Sequence, residues 1–403
     1  MAVVIPSDWE ILPIGSVGEL STGTTPPTQD RSLYGDEYPF ISPADLGSEK
    51  YIRSAEKNLS AKGYLGTRQI PKGSLLFVCI GSTIGKTGIA TTSSSCNQQI
   101  NYLVPSEKYH SEYLYYALSA IAPLVKEQAG EQAVPMVNKS EFAKFTIPVP
   151  KLNEQIAIAK ALSDIDELIE TLKSEIIKNQ NLHTAVIQKL FPTNFLKNKL
   201  PNGWELRSLG ELGTISGAGV DKVSRSSDVP IKLLNYMDVH KNTFVTPAID
   251  FMDTTATKDQ IRNCSLIKGD VLFTPTSETP EDIARSSVVL SDFMDTCYSY
   301  HLIRFRPKIK LDLNYLAFVF LLEDFRLQAQ KAAEGSGTRY VITLPRFRSL
   351  LIPIPDIKIQ NEIGQVVNDI NNQIESLKNE LGKYQQLKNG MAQDLLTGKV
   401  RLV

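Results

Sequence analysis

The chain contains itself twice, and a duplication of this period constrains the fold more than any single motif. Residues 6–23 read PSDWEILPIGSVGELSTG, and residues 201–218 read PNGWELRSLGELGTISGA. At an offset of 195, Trp9 matches Trp204, Glu10 matches Glu205, Gly15 matches Gly210, Gly18 matches Gly213 and Ser21 matches Ser216. Both tryptophans of the chain stand at equivalent positions. Farther along the offset becomes 205: Gly130 matches Gly335, Phe142 matches Phe347, and KFTIPVP (144–150) matches SLLIPIP (349–355). Such a period is far too long for a solenoid or propeller repeat. It is a duplicated domain, and the product should carry pseudo-twofold symmetry. That symmetry suits a target presenting two sites in opposite orientation, as duplex DNA does.

Each repeat ends in a heptad series. Ile158/Ile363, Leu162/Val367, Ile165/Ile370, Ile169/Ile374, Leu172/Leu377 and Ile176/Leu381 step by four and three. The register continues through Asn179 and His183 to Val186 and Leu190, and in the second copy through Tyr384 and Lys388 to Met391 and Leu395. Residues 154–190 contain no Gly or Pro, Pro148 and Pro150 precede them and Pro192 follows. This predicts a helix over 154–190 with Asn153 as N-cap, and a second over 361–396 stopped by Gly398. A 3.5-residue repeat of this length is a coiled-coil seam. About 37 residues rise roughly 55 Å, more than a 150-residue domain is wide. The two helices should therefore pair with each other, antiparallel by the symmetry of the repeat. Gly364, Gly382 and Gly390 should weaken the second helix by up to about 1 kcal/mol each relative to Ala.

The rest alternates short β-rich runs with turn clusters. LLFVCI (75–80) and INYLVP (100–105) read as strands, and YLYYALSAIAPLV (113–125) has helical spacing. VLFTP (271–275), LIRFRP (302–307) and NYLAFVFLLEDF (314–325) repeat that order. The expected fold is α+β: two tandem-repeated globular α/β domains, at 1–150 and 201–355, separated by long helical segments at 151–200 and 356–403 that form an antiparallel coiled coil.

Composition excludes several classes. The chain is 42% hydrophobic and 22% charged, so it is neither disordered nor fibrous. MAVVIPSDWE lacks the basic region and apolar core of a signal peptide, and no run of 18 apolar residues is present, so a cytoplasmic protein without a membrane span is expected. Cys79, Cys96, Cys264 and Cys297 have no CxxC spacing, and the four histidines form no ligand pattern, so no metal is expected. GSTIGKT (81–87) has three residues between its glycine and Gly-Lys where a phosphate loop needs four. The equivalent PTSETPEDIA (275–284) has neither Gly nor Lys. Its carboxylates, Glu278, Glu281 and Asp282, precede Arg285 and not the lysine of a nuclease. No adenine-methyltransferase tetrapeptide, Gly-rich cofactor loop or Ser/His/Asp set is present. The chain reads as non-catalytic.

Charge does not by itself indicate DNA. The net charge is −1, with 12 Lys+Arg against 14 Asp+Glu over residues 1–150 and 18 against 18 over 201–355. Sequence-independent affinity comes from neutralising phosphates, so the chain alone should bind duplex weakly and a partner should supply part of the grip. The loops, however, have base-reading chemistry. Gln and Asn suit adenine, Arg suits guanine, and Ser or Thr suits either. The first repeat offers Thr24, Thr25, Gln29 and Arg31, then Asn97 and Gln98, then Gln132. Its glycine turn offers Ser82 and Thr83, with Lys86 for a phosphate. The second offers Arg225, Thr276, Ser277, Tyr300 and His301, and Arg339 with Tyr340 on a glycine-flanked, mobile loop. Ordinary solvation is the competing account of any one polar residue, so the inference rests on the set. These loops diverge while the framework matches, as expected of two readers with different targets on one scaffold.

The Pro-x-x-Trp-Glu start, IGSTIGKTGIA (80–90), the Ile-Pro-x-Pro segment before each long helix and LTGKVR (396–401) resemble, in that order, the specificity subunit of Type I restriction–modification enzymes over essentially the whole chain. The resemblance implies two target-recognition domains, each reading one half of a split sequence in double-stranded DNA and held apart by a conserved antiparallel helical pair. It implies two modification subunits docked on the helices, supplying S-adenosylmethionine, and restriction subunits that use ATP with Mg. The second repeat departs from the pattern in lacking the IGSTIGK glycines. A coiled-coil scaffold or adaptor without DNA readout, and a fused methyltransferase or NTPase, are the competing readings.

Overall fold

The computed structural model describes residues 5–47, 49–130 and 134–402. They form two compact units. One combines residues up to Lys173 with Asn379 onward, and the other is Ser174–Lys378. The divisions therefore fall inside the long helices, and not at the domain ends near 150 and 355.

In the first unit the Trp-Glu segment forms a strand, Glu10–Pro13, paired antiparallel with Thr146–Val149 of the Ile-Pro-x-Pro segment. A five-stranded sheet runs in the order Gly18–Thr22, Ile100–Pro105, Leu75–Val78, Thr87–Ala90, Tyr51–Ile52. A second sheet holds Tyr34–Gly35, Lys57–Leu59, Tyr38–Ile41 and Ser95–Cys96. The run LLFV is apolar throughout because both its faces are covered. Leu75 and Phe77 face the core that includes the helix Ser111–Gln128, while Leu76 and Val78 face a separate core with Ile41, Ile52 and Cys96. Side chains alternate across a strand, so one run of β-formers seals two cores.

The second unit repeats this topology. Trp204–Ser208 pairs with Leu351–Pro355, and its five-stranded sheet runs Gly213–Ser216, Ile303–Pro307, Val271–Phe273, Ser286–Val289, Phe244–Val245. Val271 and Phe273 face one core and Leu272 the other. Two features depart from the sequence reading. The helix expected over 314–325 is two, Leu313–Val319 and Glu323–Ala332, with buried Phe320 at the break. GSGTRY is a hairpin, Glu334–Ser336 against Arg339–Val341, and not a mobile loop.

The long helices span Leu152–Leu190 and Ile357–Leu396. Asn153 lies inside the first turn, so it is not the N-cap. Asp356 performs that role in the second helix, accepting from the Lys358 N–H at 2.9 Å. Gly398 adopts φ 69° just past the last helical residue, as a C-terminal stop requires. Ile158, Leu162, Ile165, Ile169, Leu172, Ile176, Ile363, Val367 and Ile374 are buried, and Ile370, Leu377 and Leu381 are half-buried. In the first unit, Ile158 and Leu162 share a core with Leu395 and Leu396. In the second, Val186, Ile187 and Leu190 pack with Ile363 and Val367. In each unit the start of one helix meets the end of the other, which is antiparallel packing. Each helix also spends its first turns on the domain before it. Gly364 has a packing reason to be glycine: a Cβ there would lie 2.3 Å from Asp312 Oδ1 and 2.8 Å from the Tyr315 nitrogen. Gly382 and Gly390 face open space.

The joint between strand and helix is built identically twice. Buried Gln155 donates to Pro150 O at 2.9 Å and accepts from the His110 N–H at 2.9 Å. Buried Gln360 donates to Pro355 O at 2.9 Å and accepts from the Asp312 N–H at 3.1 Å. Truncating either leaves two backbone groups unpaired in the interior. Gln155→Ala and Gln360→Ala should each cost about 1–3 kcal/mol, read as similar falls in the urea unfolding midpoint. A fall for one and none for the other would show that the joints are not equivalent.

Candidate nucleic-acid interface

In each repeat a glycine lets two loop stretches approach closely. In the first, Thr22–Thr25 runs beside Cys96–Gln98. An added Cβ on Gly23 would lie 2.2 Å from Asn97 O, so only glycine permits the approach. The Thr24 hydroxyl accepts from the Arg68 N–H at 3.0 Å, and the Arg68 guanidinium donates to Thr22 O at 2.5 Å. The Thr25 hydroxyl donates to the Gln98 side-chain oxygen. Asn97 donates to the Gln99 side chain at 3.1 Å, which leaves Gln98 exposed at the tip. The glycine turn joins them through the Cys79 N–H, which donates to Gln99 O, and the Gly81 N–H, which donates to Pro135 O. Ser82 is exposed and Thr83 half-buried. Gln29 and Arg31 are exposed on the segment that follows Thr25, Arg31 opening a short turn of helix, Arg31–Leu33. Gln132 lies outside the described residues.

Lys86 has a different role from the expected phosphate contact. It is half-buried, and its ammonium donates to Pro43 O at 3.2 Å, bracing the turn against the neighbouring segment. Arg68, which sequence reasoning missed, is the exposed cation at this cluster. No pattern marked it, because the contact that locates it spans 44 residues.

The second repeat brings 217–222 and 299–301 together, with Arg339 near enough for its charge to act on His301. Gly219 repeats the approach of Gly23: a Cβ there would lie 2.3 Å from the Ser299 carbonyl carbon. The Val220 N–H donates to Tyr298 O and the Tyr300 N–H to Val220 O, both at 3.0 Å. Tyr300 is 51% exposed, with its ring 3.9 Å from that of exposed His301. Arg339 is exposed at the hairpin turn, and Tyr340 packs its ring on the core. Arg225 lies on an exposed loop, paired with Asp221 at 2.8 Å. Ser277 is withdrawn from any base-reading role: it is 8% exposed and donates to Thr279 O at 2.5 Å. Thr276 is half-buried, and its carbonyl accepts from Tyr236.

The missing glycines have an answer in the backbone. Gly85 and Ala284 each close the turn after the first core strand, the former through its N–H to Val78 O and the latter to Thr274 O. Gly85 has φ 97°, and Ala284 adopts the left-handed region at φ 57° without being glycine. Arg285 thus takes the place of Lys86, its guanidinium on Asp282 at 2.8 Å. Asp282 also accepts from His240 at 2.8 Å, so this carboxylate is engaged in holding the turn.

No group of His, Cys, Asp or Glu among the described residues could hold a metal ion, and no helix among them is long and apolar enough to cross a membrane. All four cysteines are buried, and burial pushes the Cys79 and Cys297 thiols up to about 12. Thiols of that kind are packing groups, not nucleophiles.

A family model for the Type I restriction modification DNA specificity domain matches the chain twice, over residues 6–179 and 201–388. The chain belongs to that family. It is a DNA specificity subunit of a Type I restriction–modification system. The MjaVIII specificity subunit of Methanocaldococcus jannaschii is 25% identical over 419 residues, covering 99% of this chain and 94% of the relative. The HindI specificity subunit of Haemophilus influenzae is 31% identical over 193 residues, 47% of this chain and 41% of the relative. A solved S subunit of a Type I system from M. genitalium shares the fold at a TM-score of 0.61 and 17% identity, covering 98% of this chain and 97% of that one. The two family matches coincide with the two repeats, and each takes in most of the long helix that follows.

The cation cluster of the second recognition domain has a measurable signature. Partial desolvation, then the charges of Lys222 and Arg339, hold the His301 imidazole below the ordinary histidine value of 6.5. Its folded value lies below 6.5, so an unfolded chain takes up this proton first and stability falls as pH drops through 6.5 toward the lowered value. Removing either neighbour should raise its titration midpoint. Lys222→Ala and Arg339→Ala, each followed by NMR of the His301 ring, should both move it upward. An unmoved midpoint in both would show that the three groups do not share a patch.

Proposed function

We propose that each recognition domain reads one half of a bipartite, gapped site in duplex DNA, that the long helices set the gap and dock two modification subunits, and that this chain catalyses nothing itself. One observation carries the reading. Two domains of one topology each bring two corresponding loops together at a forced glycine approach, and present different side chains there: Thr25 and Gln98 in one, Tyr300 and His301, with Arg339 nearby, in the other. A shared scaffold with exchanged tips is what two half-site readers need. The near-neutral charge agrees with a subunit that grips DNA only in its assembly, where modification subunits supply S-adenosylmethionine and restriction subunits supply ATP- and Mg-dependent steps in the cytoplasm. A scaffold without readout has no use for exposed base-type side chains at these positions.

Co-expression with the modification subunit, followed by sequencing of methylated adenines, should give a two-part motif with a fixed gap. Arg339→Ala should relax one half of that motif and leave the other intact, losing about 1–3 kcal/mol of discrimination if the guanidinium reads guanine. Equal loss on specific and random DNA would place Arg339 on the phosphate backbone.

The helices should act as a ruler. Inserting four residues near Asn179 and four near Tyr384 adds about 6 Å along each helix. The preferred gap should then lengthen by one or two base pairs, at about 3.4 Å per pair, with both half-site sequences unchanged. An unaltered gap in a folded, active protein would mean that the helices do not set it.

A further inference from the structure

Within the first unit, a chain of polar contacts runs from the recognition domain onto both long helices. Lys50 leads it, with only 10% of its side chain exposed. Its ammonium reaches Glu112 at 3.1 Å, the Tyr116 hydroxyl at 3.2 Å and the Ser163 hydroxyl of the central helix. Ser163 also donates to Glu112 at 2.7 Å, and the Tyr51 hydroxyl donates to the other carboxylate oxygen at 2.5 Å. Tyr116 donates to Asp166 of the central helix at 2.6 Å, and Asp166 pairs with Lys388 of the C-terminal helix at 2.5 Å. Burial alone would raise the Glu112 pKa, but the bonds from Tyr51, Ser163 and Lys50 outweigh it and hold the group ionised. Lys50, Tyr51, Ser163, Asp166 and Lys388 line a cavity of about 910 Å³ beside the network.

Among the described residues, the second unit shows no equivalent of the Tyr116–Asp166–Lys388 contacts. Tyr113 and Tyr315 each donate to the strand before the long helix, at Pro148 O and Pro353 O, which fixes the equivalence of the two helices that carry them. Three residues on, Tyr116 is replaced by Phe318. At the offset of 205, Asp166 becomes Asn371 and Lys388 stands where the first helix has His183. The His183 Nε2 is buried without a hydrogen-bond partner, its ring edge-on to Phe318 at 5.7 Å. One joint is charged and directional, and the other is an aromatic contact.

We propose that the Lys50–Glu112–Tyr116–Asp166–Lys388 network fixes the angle at which the first recognition domain sits on the helix pair, so that these are positioning residues for gap selection. The proposal rests on the two-reader function above. Hydrogen bonds to charged groups have fixed directions, whereas a greasy contact tolerates sliding, so the network is the stiffer of the two joints.

The test is methylated-adenine sequencing of the complex carrying Tyr116→Phe or Lys388→Met, with wild type alongside. Both half-site sequences should persist, while methylation at gaps one base pair from the native one rises about tenfold, the factor expected for one lost hydrogen bond to a charged group. Lys388→Arg, which keeps the ion pair, should restore the native gap. Ile158→Val, which trims the same joint without touching the network, serves as the stability control. Equal gap relaxation in Ile158→Val at matched melting temperature, an unchanged gap in both network variants, or folded variants that methylate nothing would each overturn the proposal. A wild-type complex giving no two-part motif would instead overturn the two-reader function itself.

Discussion

The carboxamides of Gln155 and Gln360 close the turn between an Ile-Pro-x-Pro strand and the long helix that leaves it. Each donates to a proline carbonyl five residues back and accepts from the N–H of the residue that caps an earlier helix, Ser111–Gln128 in one repeat and Leu313–Val319 in the other. Because both partners are backbone, the helix leaves the domain in one direction only. The strand it leaves from is paired with the Trp-Glu strand, so the beginning and end of each domain are tied at one place. Within each unit, the packing of the helix against its domain depends on that exit direction.

The two ends of the first unit show how the repeat is closed. Glu154, 2% exposed, accepts from Trp9 at 3.1 Å and from Arg401 at 2.5 and 2.7 Å. Arg401 also reaches Asp8 at 2.9 Å and holds that carboxyl below its usual range. A buried carboxylate is tolerated only when its charge is matched. In this chain the matching cation comes from the LTGKVR segment at the far end of the sequence. In the second repeat, Trp204 packs on Tyr315 at 6.5 Å and Phe191 on the same ring at 5.3 Å. The end of the central helix therefore does with aromatic surface what the end of the C-terminal helix does with charge.

This asymmetry recurs wherever the two copies are compared. The framework positions are nearly interchangeable: Gln155 and Gln360, Gly23 and Gly219, Tyr113 and Tyr315. The positions that differ are the tips, which face outward, and the side-chain contacts between domain and helices, polar at Tyr116, Asp166 and Lys388 in one copy and aromatic at His183 and Phe318 in the other. A duplicated domain can change its tips freely because loops carry little of the core. It can change a joint only by replacing the whole network, since a half-satisfied buried polar group costs more than none.

The sequence alone determined the duplication, the strand–helix order, the heptad seam and its antiparallel sense, because these follow from periodicities that a linear chain displays. The strand Ile100–Pro105 has the limits read from its alternation, and the seam positions through Ile176 were legible from their steps of four and three. Tertiary structure decided what periodicity does not encode. Lys86 braces a segment 43 residues away and Ser277 is buried, and no local pattern announces either. Arg68 reaches the reading cluster through a bond to Thr24. Ala284 takes a left-handed turn without glycine because buried strands on both sides dictate it. The helices start at Leu152 and Ile357, before 154 and 361, and buried Glu154, Gln155 and Gln360 sit in their first turns. What the chain shows along its length is which elements exist. Which polar side chains stay exposed was settled by the contacts that folding had already used.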